Sequence, residues 1–277
     1  MVLSQSDFQI LLDLASKAAV EAGKYIFKRS SEEIEVHRKI GGESLASQVV
    51  TEVDEKAQEI ILEILNPSLK KYDLALLTEE SEDDKSRFEK EYFWCIDPLD
   101  GTLPFTEGKD GYAVSIALVS KSGVSKIGVV FNPVCGDLYT AIQGQGAFKN
   151  GEKIVLKNGE SLTFLHDRSF LSEPNYNEVL RDLENKAKGL NLANLSVIFH
   201  CGSVMNAMNV IDFSPAIYFK FPKIKPGGGS IWDFAASSCI CSEAGVFVSD
   251  YNGNSLDLNR IDSTFMNHRG VRYSSVK

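Results

Sequence analysis

The chain has 277 residues, a net charge of −9, 43% apolar and 24% charged residues. That is enough for one compact unit or two sub-domains sharing an interface. The acidic balance argues against a nucleic-acid polymer as partner, which needs clustered Lys and Arg. No run approaches the ~18 apolar residues of a membrane span. The opening MVLSQSDFQILLDLASKAAV carries acids where a signal peptide carries bases, so a cytoplasmic protein is expected. Cys95, Cys135, Cys201, Cys239 and Cys241 are odd in number and form no C-x-x-C pair. Buried reduced thiols are predicted rather than disulfides or a zinc site.

In chain order, Phe8, Leu11, Leu12, Ala15, Ala19, Ala22 and Ile26 fall on one helical face, predicting a long helix from about Asp7 to Lys28. HRKIGGESLASQ (37–48) reads as an exposed loop. A second helix begins near Thr51, with Val53, Ala57, Ile60, Ile61, Ile64 and Leu65 buried, and Asn66-Pro67 is expected to end it. LALL (74–77) and YFWCI (92–96) read as buried strands. Three strands between Tyr112 and Gln143 form a meander, and Asn150-Gly151 marks a tight turn. The remainder alternates: strand near 196–200, helix Ser203 to Asp212, strand 216–221, helix Ile231 to Ala244, strand 246–249. The pattern predicts an α/β sandwich. An N-terminal α+β sub-domain (1–155) carries the meander, and an α/β sub-domain (156–277) completes one compact unit.

The acids fall at informative places. TEES (78–81) and DPLDGT (97–102) each directly follow a buried strand, where loop side chains project over a rigid edge. Glu79, Glu80, Asp97 and Asp100 therefore crowd one edge, which is costly unless cations lie between them. Oxygen ligands without His or Cys specify Mg²⁺, Mn²⁺ or Ca²⁺ rather than zinc. A pair of such ions is the arrangement that clamps both oxygens of a phosphoryl displacement. Gly101 lets the backbone come close to a ligand, and the amides of Gly101 and Thr102 could receive a phosphate. Each acid also has a plain structural reading. Asp97 and Asp100 sit in turn-forming pairs, while Asp54 after Thr51 and Asp233 after Ser230 have capping-box spacing.

TEVDEKA (51–57), LLTEES (76–81), WCIDPLDGT (94–102) and GSIWDFAASSCICSEAG (229–245) resemble, in order, the signatures of the inositol monophosphatase superfamily. GQGAFKNGEKI (144–154) and GSVMNAMNV (202–210) resemble its hairpin and its Gly-Ser helix start. The resemblance implies an αβαβα sandwich of the inositol monophosphatase/fructose-bisphosphatase type, lithium-inhibited Mg²⁺ catalysis with two or three ions, and a homodimer. By motif position Glu79, Asp97 and the Leu99 carbonyl would hold one ion, and Asp97, Asp100 and Asp233 a second. Glu80 would support a third through water. Thr102, hydrogen-bonded to Asp54, would orient and deprotonate the attacking water. Ser203, with Gly101 and Thr102, would face the phosphate. The loop 37–46 matches the family's flap in position.

A haloacid-dehalogenase-type box needs D-x-D, whereas this chain has Asp97-x-x-Asp100. The Walker and EF-hand patterns are absent. A non-catalytic metal- or phosphate-binding regulatory module is the alternative of different class, but it would not need Thr102 with Asp54. The resemblance implies a small phosphorylated metabolite as substrate. LPFTEGKDGYAVSIALV (103–119) resembles the 3′(2′),5′-bisphosphate nucleotidase branch, although Leu103 stands where that branch commonly has Lys. Lys220, Lys223 and Lys225 could meet a second phosphate or form a solvated loop. An inositol monophosphate is the second substrate reading.

Overall fold

The structure, a computed structural model, describes residues 3–30, 36–38 and 49–276. Helix α1 (Gln5–Arg29) starts at a reciprocal cap: the Ser4 hydroxyl accepts from the Asp7 amide (3.2 Å), and the Asp7 carboxylate accepts from the Ser4 amide (2.9 Å). Its stripe of Leu11, Ala15, Ala18, Ala22 and Ile26 is buried. Strands β1 (Val36–Arg38) and β2 (Val49–Thr51) form a short antiparallel ribbon leading into α2 (Glu52–Tyr72). His37 and Arg38, expected in a loop, are therefore strand residues. The rest of that loop, with the flap expectation, lies outside the described residues.

Pro67 does not end α2, which runs five residues further. Proline removes one amide and crowds the preceding turn, but packing outweighs that here. Ser68 is buried, donates to the Leu65 carbonyl (2.6 Å) and accepts from the Trp94 indole (2.9 Å), and Tyr72 is buried beyond it.

A seven-stranded sheet follows: β3 (Ala75–Thr78), β4 (Tyr92–Asp100), then, after α3 (Thr102–Thr106), β5 (Ala113–Ser120), β6 (Ser125–Asn132), β7 (Asp137–Ile142), β8 (Ala147–Lys149) and β9 (Glu152–Lys153). Only the β3–β4 pair is parallel. Asn150 and Gly151 both have positive φ at the β8–β9 turn, as its Asn-Gly pair predicts. The second sheet takes β10 (Leu162–Leu165), β11 (Leu195–Ile198), β12 (Ala216–Lys220), β13 (Phe247–Ser249) and β14 (Val271–Ser274) in the order β11-β10-β12-β14-β13. Helices α4 (Tyr176–Gly189), α5 (Ser203–Asp212) and α6 (Ile231–Glu243) complete the chain. Sequence periodicity missed β10, α4 and β14. The two strands are short, and α4 is mostly exposed and polar, burying only Leu183 and Ala187.

Every residue of β5 is buried because both of its faces are covered. Val114, Ile116 and Leu118 join the core shared with α1 and α2; Ala113, Ala117 and Val119 join the one shared with α5 and α6. Leu165, Tyr218 and Tyr273 of the second sheet line that same inner core, while Leu162, Phe164 and Phe219 pack outward on α4. The layers are therefore α1/α2, seven strands, α5/α6, five strands and α4. Four cysteines are buried thiols as expected; Cys135 is instead exposed, in the β6–β7 turn.

A row of small residues crosses the first sheet beneath α6, Ala117, Gly128 and Ala141 on neighbouring strands, so that the helix can lie close. At Gly128 an added Cβ would come within 2.4 Å of the Ala236 carbonyl oxygen. Gly128→Ala should therefore push α6 from the sheet and cost about 1–3 kcal/mol by overpacking. A thermal or urea melt checks this, and an unchanged melt would mean that the helix seat is not tight.

Candidate active site

Asp97 and Asp100 lie three apart on β4, and a regular strand would point them to opposite faces. They converge because β4 carries a bulge. Asp97 pairs with Ser115 and Asp100 with Ala113, so three steps on β4 match two on β5. Pro98, which cannot donate to the ladder, sits in the extra length. The bulge is closed locally by the Leu99 amide donating to the Asp97 carboxylate (3.1 Å). Gly101 then turns the chain at φ 85°, against the Gly111 carbonyl and the Tyr112 backbone, where a Cβ would sit 2.9 and 3.0 Å away.

Asp233 arrives from the first turn of α6, its carboxylate accepting from the Ser230 amide (2.6 Å). It thus caps its helix as its spacing allowed and also faces the β4 acids. One carboxylate oxygen from each of Asp97, Asp100 and Asp233 lies within 4.8 Å of the others. Asp100 is oriented by the start of α5, accepting from the amides of Ser203 (3.1 Å) and Val204 (2.9 Å). Gly202 permits this, since a Cβ there would stand 2.2 Å from the Asp100 carboxylate.

Burial pushes the Asp97 carboxyl well above its ordinary value, and Glu79, Asp100, Asp233 and Asp54 push it further. Asp100 is likewise raised by burial and by Asp233, with the Val204 amide and Lys220 opposing. Asp233 is raised by burial, against Lys220 and the Ser230 amide. An all-carboxylate, mutually repelling donor set with two of its three members buried fits a hard divalent cation, which removes the repulsion and accepts charged oxygens.

Around this triad the other expected residues take graded positions. Glu79 follows β3, its amide bonded to the Ile96 carbonyl (3.2 Å), and its charge is the strongest neighbour of Asp97. Glu80 is beside it, half-buried in the turn. Asp54, 3% exposed on α2, acts on Asp97 as well; the Thr51 half of its expected cap lies outside the described side chains. The Thr102 hydroxyl donates its one proton to the Leu99 carbonyl (3.3 Å) rather than to Asp54 as expected, because the carbonyl three residues back lies within reach at the start of α3. Lys220, left open by the sequence, reaches the Ser203 hydroxyl (2.8 Å) and the Asp167 carboxylate (2.7 Å). Asp167 was not foreseen, because β10, which leads into it, is too short to signal itself. Beside Lys220 opens a recess lined by Asp167, Phe170, Phe221, Lys223 and Asn267.

The chain is similar to known proteins over nearly its whole length. The inositol monophosphatase family pattern matches residues 7–274. An inositol-1-monophosphatase of Synechocystis sp. is 31% identical over 259 residues, 93% of this chain and 84% of that protein. Nus factor SuhB of Pseudomonas aeruginosa is 31% identical, covering 89% of this chain and 87% of its own. The crystal structure of CysQ from Bacteroides thetaiotaomicron, described as a bacterial member of the inositol monophosphatase family, superposes with a TM-score of 0.76 at 26% identity, covering 98% of this chain and 99% of that one. The chain belongs to the inositol monophosphatase family and is a phosphoric monoester hydrolase.

Proposed function

We propose that the chain hydrolyses a small phosphate monoester with Mg²⁺ held at Asp97, Asp100 and Asp233, with Glu79 and the Leu99 carbonyl completing a second position. The observation that carries this reading is the convergence of three carboxylates, two buried and one half-buried, within 4.8 Å. Bound ions supply counter-charge to the phosphate and acidify the attacking water. Thr102, at the rim of the cluster, orients that water and relays its proton toward Asp54. For this the hydroxyl gives up its bond to Leu99. Gly101, Thr102 and Ser203 form the edge that faces phosphate, and Glu80 supports a third ion.

The leading substrate class is a 3′(2′),5′-bisphosphate nucleotide. The recess beside Lys220 offers Lys223, paired to Glu173 at 3.4 Å, and the aromatic ring of Phe221. A second phosphate and a base would use these, and an inositol ring would not. Inositol monophosphate is the second reading, favoured by the similarity to inositol-1-monophosphatases. A homodimer in the cytoplasm and lithium inhibition are part of the same proposal. Among the described residues no helix is long and apolar enough to cross a membrane.

Phosphate release from 3′-phosphoadenosine 5′-phosphate, inositol 1-phosphate and fructose 1,6-bisphosphate tests both levels. Activity should vanish in excess EDTA and return with Mg²⁺, and the bisphosphate nucleotide should give the highest kcat/KM. Full activity in EDTA would end the metal-dependent reading; preference for inositol 1-phosphate would leave it standing and overturn the substrate.

Asp97→Asn should abolish nearly all activity, because an amide is a neutral and poorer ligand. Its metal-free fold should not be weakened. The raised carboxyl contributes stability below the ordinary carboxylate pKa and loses it as pH rises through the higher folded value. The variant, which has no such group to ionise, should therefore melt no lower than wild type in EDTA at neutral pH. Near-normal turnover would reduce Asp97 to a bulge residue.

Thr102→Ala should lower kcat by roughly 10²–10⁴-fold, the usual scale of acid–base assistance, with little change in Mg²⁺ affinity or KM. Thr102→Ser should keep much of the rate. Asp54→Asn should match Thr102→Ala, and the double variant should be little worse than either. A lowered melt with unchanged kcat in Asp54→Asn would assign Asp54 to helix capping alone.

A further inference from the structure

Lys220 ends β12 with its side chain turned inward and only 13% exposed. Its ammonium donates to Asp167 (2.7 Å) and to the Ser203 hydroxyl (2.8 Å) and stands 5.3 Å from the centre of the Phe234 ring. Room for it is made at Gly229, where a Cβ would lie 3.2 Å from the Lys220 Nζ and 2.7 Å from the Phe234 ring. Two of these neighbours are tied to the acid cluster. The Ser203 amide holds Asp100 at 3.1 Å, and Phe234 directly follows Asp233 on α6.

The tether is itself fixed. Asp167 accepts from the Tyr218 hydroxyl and from the Asn206 amide, both at 3.2 Å, so it holds the ammonium in place rather than following it to solvent. Ser203 joins the ammonium to the cluster: its hydroxyl accepts from Lys220 (2.8 Å) while its amide donates to Asp100 (3.1 Å). Burial disfavours its own charge, but Asp167, Asp233 and Asp100 outweigh that and hold its pKa above the ordinary lysine value.

We propose that Lys220 is the resident counter-ion of the acid cluster: it balances Asp100 and Asp233 when no metal is held there, and opposes a divalent cation at those acids, thereby setting its affinity. This rests on the metal-dependent reading of the site. It assigns Lys220 to metal affinity rather than to the substrate's second phosphate, which falls to Lys223. A fixed charge of like sign beside the ion weakens its binding.

The test titrates metal-stripped, full-length protein with Mg²⁺ by calorimetry, with melts run in EDTA and in excess Mg²⁺. Lys220→Met keeps the apolar stem and deletes the charge. It should tighten Mg²⁺ binding about tenfold and lower Tm in EDTA more than in Mg²⁺. Lys220→Arg keeps the charge and should bind within about twofold of wild type. Asp167→Asn removes a neighbouring negative charge and should move affinity the opposite way, weakening it about tenfold. Unchanged affinity in Lys220→Met, while wild type binds Mg²⁺, overturns the counter-ion role and leaves the phosphatase reading intact. Lys220→Met and Asp167→Asn shifting affinity in the same direction, or losing Tm equally with and without metal, would likewise reduce the pair to packing. A wild-type chain that binds no Mg²⁺ would overturn the metal-dependent reading and the inference together.

Discussion

Asp97, Asp100 and Asp233 reach one point from a strand of the first sheet and a helix of the middle layer. At 4.8 Å each ionised pair repels by about 3 kcal/mol at an effective dielectric near 20, so the chain folds around a charge problem that it must hold in check. Much of the nearby architecture answers it. The start of α5 turns two amides onto Asp100, the start of α6 turns one onto Asp233, and the Leu99 amide serves Asp97. Each carboxylate thus keeps at least one backbone donor and at the same time secures a helix end or a bulge. The acids stabilise local structure while remaining available to a cation.

This dual use explains why structural and functional readings of the same residue do not compete. Ser230 and Asp233 have capping-box spacing, and the cap is present. The same bond aims the carboxylate at β4. Asp97 and Asp100 do sit in turn-like surroundings, yet the turn is a bulge whose extra residue brings both side chains to one face. A residue that shapes the backbone is held more rigidly than one that merely projects from it, and a site for a hard cation needs that rigidity.

What was legible in the sequence follows from the same physics. Helices with sustained apolar stripes, such as α1, α5 and α6, and strands covered on both faces, such as β4 and β5, announce themselves through periodicity or unbroken apolar runs. The acid positions were legible because DPLDGT and the Trp-Asp helix carry them in fixed local contexts. Pro67 misled because proline's local cost was outweighed by Ser68 and Tyr72, contacts made across the fold. The Lys220–Asp167 pair was not legible: it joins residues 53 positions apart, through a short strand with no signal of its own, and only the parallel β10–β12 pairing brings them together.

The overall charge of −9 fits this architecture and does not contradict a phosphate substrate. A helix N-terminus ordinarily attracts anions, but the first amides of α5 are already taken by Asp100, and the first turn of α6 by Asp233. The fold therefore spends these two helix starts on its own carboxylates. On the proposed reading, cations gathered by those acids would supply most of the positive charge that a phosphate meets there. On the proposed metal-dependent reading, the acidity of the site would then favour binding of the ions before the phosphate ester.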